Sequence, residues 1–211
     1  MHLIIDSHPD IGFAIVKLAQ QMANLSNEHY QVGLHLYRYL LSTCKYQIVY
    51  DRLSNESIVA HSNSDWVQDP ELHKSVTDYF TLMVQGVIFW MSCQQKTVTL
   101  SSTEAEYMVL SDCGHQLAWA KSLLNEVSFN VSTPYIYGNI LGLLFWGSNP
   151  IQKKHSKHID ICYHYIRDLI EDEQVKPYHI DGKENSTDIL TKNLGQVLFS
   201  HFCPSLGLEI L

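Results

Sequence analysis

Apolar positions in the first fifty residues recur at helical spacing. Ile11, Ile15, Leu18 and Met22 predict a helix over residues 9–23. Pro9 suits its first position, where an N–H has no intrahelical partner to lose. Val32, Leu36, Tyr39 and Leu40 form one stripe of a second helix over 27–42. A short strand, Gln47 to Tyr50, follows, and the polar, turn-rich stretch from Asp51 to Ser57 predicts a boundary. Beyond it the pattern changes. Ile58 to Ser62 is a short apolar run, and Asp78 to Met83 and Val87 to Ser92 are β-branched and aromatic. The pair Gln85-Gly86 between the last two predicts a tight turn, hence a three-stranded antiparallel beginning. Residues 102–126 read as a long helix whose start is fixed by Ser101 and Glu104 in the Ser-x-x-Glu spacing of a capping box. Pro134 to Tyr137 is a strand, 140–147 a brief helix, Val175 to Ile180 a last strand and 186–194 a last short helix. Residues 156–172 carry Ile159, Cys162, Tyr163, Ile166, Leu169 and Ile170 on one amphipathic stripe. Three antiparallel strands followed by alternating helices and strands predict an α/β fold. It has a mixed five-stranded sheet flanked by helices, with an N-terminal helical appendage.

Composition narrows this picture. Of 211 residues, 45% are apolar and 17% charged, enough to fill a core. No window approaches the apolar length of a membrane span. The first residues lack the basic and apolar segments of a secretory signal. Five cysteines without a CxxC pair read as reduced, buried thiols and an intracellular location. Fourteen basic against 22 acidic residues leave a net charge of -8, which argues against strong nucleic-acid binding by the isolated chain. The best basic patch is Lys153, Lys154 and Lys157, with His155 and His158 beside it. A solvated loop is the plainer reading of that patch on charge alone. The same histidines lack further ligands at zinc-motif spacing.

Several phrases carry a family resemblance. QKTVTLSSTEAEYMVLSDC at 95–113, KHIDICYHYIRDLIED at 157–172, TDILTKNLG at 187–195 and HSNSDWVQDPELHKS at 61–75 resemble copia-type LTR-retrotransposon polyproteins. Upstream, 8–30 and 37–51 resemble the end of the reverse transcriptase, its thumb and connection. The resemblance implies three segments. Residues 1–56 would be a reverse-transcriptase remnant, 57–195 a ribonuclease-H-like domain and 196–211 a C-terminal tail. It also implies hydrolysis of RNA in RNA–DNA hybrids by two Mg²⁺ ions about 4 Å apart, which orient a water and neutralise the leaving oxygen. Magnesium takes hard anionic oxygens, so such a site needs clustered carboxylates.

Carried over by motif, the four carboxylate positions are Asn63, Glu106, Asn139 and Asp188. Two have become amides, which implies a degenerate copy holding at most one Mg²⁺, and that weakly. Glu106 is the glutamate left free once Glu104 caps the helix, and Asp188 would otherwise read as a first-turn acid. Asp65 is a possible substitute ligand, sharing Asn63's face if the strand runs that far. Other departures fit decay. The family's Arg-Lys-Ser-Thr-Ser-Gly stretch falls on the segment ending Lys74-Ser75-Val76-Thr77-Asp78, and its basic element before the Gln-Lys-Thr-Val run is Ser92-Cys93-Gln94-Gln95. Both remove charge that could meet phosphates. The polymerase motifs lie upstream of this region and are absent, so a reverse transcriptase is not expected; the alternative to a degenerate hydrolase is a catalytically silent nucleic-acid- or protein-binding module.

Overall fold

The computed structural model describes residues 7–51, 57–66, 74–139 and 157–210, with only the backbone of 157–159. A 3-10 turn, Pro9–Ile11, leads into α1 (Gly12–Gln20), then α2 (Asn27–Ser42) and β1 (Tyr46–Ile48). The central run is β2 (Ile58–Asp65), β3 (Val76–Met83), β4 (Gly86–Gln94), α3 (Ser102–Glu126) and β5 (Tyr135–Gly138). Then come α4 (Lys157–Glu171), β6 (Lys176–His179), α5 (Asp188–Thr191), α6 (Gln196–Phe202), a 3-10 turn Cys203–Leu206 and β7 (Leu208–Ile210). Five strands form one mixed sheet in the order β4-β3-β2-β5-β6. β2, β3 and β4 pair antiparallel, while β5 pairs parallel with both β2 and β6. Antiparallel hairpins on one side and parallel strands joined by helical crossovers on the other make the ribonuclease-H-like arrangement expected of the resemblance.

Alternation along the strands feeds two cores. Ile58, Ala60, Tyr79 and Ile136 face one way and pack with Leu110, Cys113 and Leu117 of α3 and Ile166 and Leu169 of α4. Phe80, the next residue after Tyr79, faces the other way. There it meets Val87, Ile189, Leu190, Phe202, Leu206 and Leu208. The last segment is therefore more than a tail: Phe202, Cys203, Leu206 and Leu208 are buried, and β7 pairs antiparallel with β1. The N-terminal appendage is held on this side too, where the Tyr39 hydroxyl donates to buried Asp10. No residue of α2 is fully buried, however; of its predicted stripe Val32 is 47% exposed, while Leu36, Tyr39 and Leu40 are partly buried.

Several local expectations are corrected. The hairpin between β3 and β4 turns on Val84 and Gln85, both at positive φ, and Gly86 already pairs with Met83. Two left-handed residues match the twist of the strands they join. Gly86 is needed for room instead: a Cβ there would meet the Tyr50 ring and lie 2.9 Å from the Val49 carbonyl. Ser101 does cap α3, accepting from Glu104 N at 3.2 Å, but the Glu104 carboxylate accepts from Leu100 N at 2.7 Å, not from the cap's own N–H. Cys44 and Cys93 are exposed, and all five thiols are free. The brief helix expected at 140–147 lies outside the described residues.

Candidate active site

The site sits where β2 and β5, neighbouring parallel strands, come to their carboxyl ends. His61 pairs with Tyr137 across them, and the two rings stack at 5.2 Å. Carried two residues further, that register sets Asn63 beside Asn139, on strands about 4.8 Å apart. Gly138 makes the approach possible, because a Cβ there would lie 2.6 Å from Ser62 Oγ. Each amide then finds one carboxylate. Asn139 Nδ2 donates to Glu106 Oε1 of α3 at 2.9 Å. Asn63 Nδ2 donates to Asp188 Oδ1, the first residue of α5, at 3.1 Å. Register and hydrogen bonds thus bring the four motif positions together at one end of the sheet.

The loop before α5 is fastened to β2. Asn185, buried, donates through Nδ2 to the Ser62 carbonyl at 2.9 Å, while its Oδ1 accepts from Thr187 Oγ1 at 2.6 Å. One turn after Asp188, the Lys192 ammonium lies 2.8 and 2.9 Å from its two carboxylate oxygens. The i, i+4 spacing of these two residues within TDILTKNLG was the sequence signal for this ion pair. Asn185 had no such signal, since a buried Asn that ties a loop to a strand looks like any turn residue.

Burial pushes the Glu106 carboxyl up to about 7, with the Asn139 amide pulling the other way. β2 extends to Asp65, so Asp65 does share Asn63's face, paired with Val76 across β3. The sequence reading missed a further acid, Asp78. It lies directly opposite Asn63 on β3 and is fully buried. Ser92, opposite it on β4, donates to the Leu190 carbonyl at 3.3 Å. Burial holds the Asp78 carboxyl well above the usual carboxylate range. Ser92 and Lys17 ease this, and Asp65 and Asp188 add to it.

A pair of divalent ions needs several charged oxygens turned toward one another. Here Glu106 faces an amide N–H, and Asp188 faces an amide and an ammonium. Among the described residues no three or more His, Cys, Asp or Glu side chains converge as metal ligands. The four motif positions therefore do not fit a two-ion centre. Lys153 and Lys154 lie outside the described residues, and only the backbone of Lys157 is described. No described helix is long and apolar enough to cross a membrane.

No protein-family model matches the chain. The retrovirus-related Pol polyprotein from transposon RE1 of Arabidopsis thaliana is 32% identical over 202 residues, 95% of this chain. That from transposon TNT 1-94 of Nicotiana tabacum is 30% identical over 192 residues, 91% of this chain. The chain spans only 14% of the length of either. Among solved structures, LC11-RNase H1, isolated from compost, superposes with a TM-score of 0.48 at 12% identity. The superposition covers 64% of this chain and 92% of that one. Matched along nearly its whole length, this chain belongs to the retrovirus-related Pol polyproteins of copia-type retrotransposons.

Proposed function

We propose that the chain carries the ribonuclease-H-like domain of such a polyprotein in a catalytically silent form, one that engages RNA–DNA hybrids weakly and does not cut them. The observation that carries this reading is the pairing of each surviving carboxylate with an amide: Asn139 on Glu106 and Asn63 on Asp188. An amide has no charge, and here its N–H groups occupy the lone pairs that a metal would use. Two Mg²⁺ ions held by only two carboxylates would repel one another with little screening. Losing ~4 kcal/mol of transition-state stabilisation already costs about a thousandfold in rate. The net charge of -8 supports weak hybrid affinity with a shallow salt slope, resting on Lys153, Lys154 and Lys157.

The test is hybrid cleavage in Mg²⁺ and in Mn²⁺, comparing the chain with its Asn63→Asp/Asn139→Asp variant. No cleavage is expected from the native chain, and some from the variant. Robust Mg²⁺-dependent cleavage by the unmodified protein, abolished by Glu106→Gln, would overturn the proposal. Hybrid titration against salt tests the binding half. Affinity unchanged after neutralising the three lysines would move the contact surface elsewhere.

A further inference from the structure

Helix α2 carries two apolar stripes, and the fold uses only one. Leu36 and Tyr39 are partly buried toward the domain, where the Tyr39 hydroxyl reaches Asp10 and its ring meets Phe199. On the opposite side of the helix Tyr30, Leu34, Tyr37 and Leu41 follow one another at spacings of four, three and four. That is the a/d repeat of a helix-pairing seam, where a solvated helix would be polar. Tyr30, Tyr37 and Leu41 are 63%, 60% and 59% exposed. Gly33 flanks this seam in the middle of the helix, where glycine is a poor helix former. A Cβ there would meet nothing within 4 Å, so the chain's own packing does not require the glycine. Bare backbone beside an apolar seam suits the close approach of a second helix.

We propose that two copies of this chain associate through this seam, α2 against α2, antiparallel about a two-fold axis. The charges of the helix select a second copy and its direction. Glu28, its one acid, lies in the first turn, while Arg38 lies toward the other end and Lys45 just beyond it. An antiparallel copy sets opposite signs end against end, whereas a parallel copy sets like against like. That pairing puts Tyr30 on the partner's Leu41 and Leu34 on the partner's Tyr37, each contact occurring twice. The same register lays Gly33 across from the partner's Leu40. Two heptads make a short seam. Its exposed side chains, with Met22 and Leu25 just before the helix at 72% and 68% exposed, offer roughly 500 Å² a copy. About 1,000 Å² in all is the lower limit of a specific interface, so the dimer is reversible, with a Kd of ~10–100 µM. This association stands apart from hybrid binding or cleavage, since it uses the appendage alone.

The test is sedimentation equilibrium of the whole chain from about 1 µM to about 0.5 mM, which brackets the expected monomer–dimer equilibrium. Tyr37→Glu puts a charge into the seam and should weaken association about tenfold or more. Because the site is exposed in one copy, the melting temperature of the dilute chain should hold, which separates lost pairing from unfolding. Gly33→Ala should move the two readouts in opposite directions. Alanine is the better helix former and has room, so the dilute chain should melt higher, while the dimer weakens as the added Cβ holds the helices apart. Cys44, exposed just past α2, reports direction. Spin labels there, with Cys93→Ser removing the other exposed thiol, should sit about 25–30 Å apart in an antiparallel pair and about 10 Å apart in a parallel one. A chain still monomeric at about 0.5 mM would leave this face to a different polypeptide and overturn the proposal. A dimer undiminished in folded Tyr37→Glu, or labels at the parallel distance, would overturn it too.

Discussion

Replacing Asn63 by aspartate should destabilise the protein in the absence of divalent ions. Asn63 donates to Asp188 at 3.1 Å, and Asn63→Asp replaces that donor with an acceptor. The lost bond runs to a charged group, worth ~1.5–3 kcal/mol. In its place stand two like charges; at about 4 Å and an effective dielectric near 20 the repulsion is ~4 kcal/mol. Lys192, 2.8 Å from Asp188, offsets part of it, and uptake of a proton relieves more. Asp78, opposite on β3, adds a third acid. A net loss of about 2–4 kcal/mol should lower the melting temperature by roughly 5–15 °C for a chain of this size. The assay is thermal denaturation in EDTA, run beside Asn63→Ala, which loses the hydrogen bond without adding charge. Excess Mn²⁺ should restore the Asp variant and leave the Ala variant unmoved. If Asn63→Asp is no less stable in EDTA than Asn63→Ala, the electrostatic argument for the site is wrong.

Two further outcomes follow from the strands around the site. Gly138→Ala places a Cβ 2.6 Å from Ser62 Oγ, which must turn away from the Tyr137 carbonyl it donates to, and 3.3 Å from the Ser62 carbonyl, which must shift by a few tenths of an ångström. A loss of about 1–3 kcal/mol is expected in denaturant melts, and an unchanged midpoint would count against the close approach of the strands. His61 is stacked between Phe80 and Tyr137, and burial lowers its imidazole from 6.5 to about 4. The unfolded chain therefore takes up that proton first. The contribution of neutral His61 is full above pH 6.5 and is lost as pH falls toward 4. His61→Phe keeps the stack and should flatten this acid limb, read as the urea midpoint at neutral and at mildly acidic pH. An equally steep limb in the variant would assign the acid sensitivity to another group.

Much of the scaffold was legible because its elements are long or strongly patterned. The 25-residue helix α3 has its cap in Ser101, and the stripe of α4 matches the buried Cys162, Ile166 and Leu169. The four motif positions could be located by resemblance, but their hydrogen bonds could not, since periodicity is silent on which amide meets which acid. The C-terminal segment misled because its apolar residues are spread over a helix, a 3-10 turn and a three-residue strand, each too short to show a period. Asp78 was invisible for a related reason. Its burial depends on being covered by α5, which lies more than a hundred residues further along the chain.

The pairing of β1 with β7 has a mechanical consequence. Tyr46 lies opposite Ile210 and Ile48 opposite Leu208, so the incoming chain and the outgoing chain leave this short ladder at the same end. Tension applied from both sides would open it one bond at a time, as a zipper, rather than shear all its bonds at once. The ladder is three residues long and its N-terminal neighbour α2 has no fully buried residue, so it should yield at low force. In the central sheet the same pull reaches β2, joined on both flanks, from one side and the longer-anchored edge strand β6, paired with β5, from the other. Stretched within a longer polypeptide, the domain would part with its N-terminal helices first and keep the five strands together.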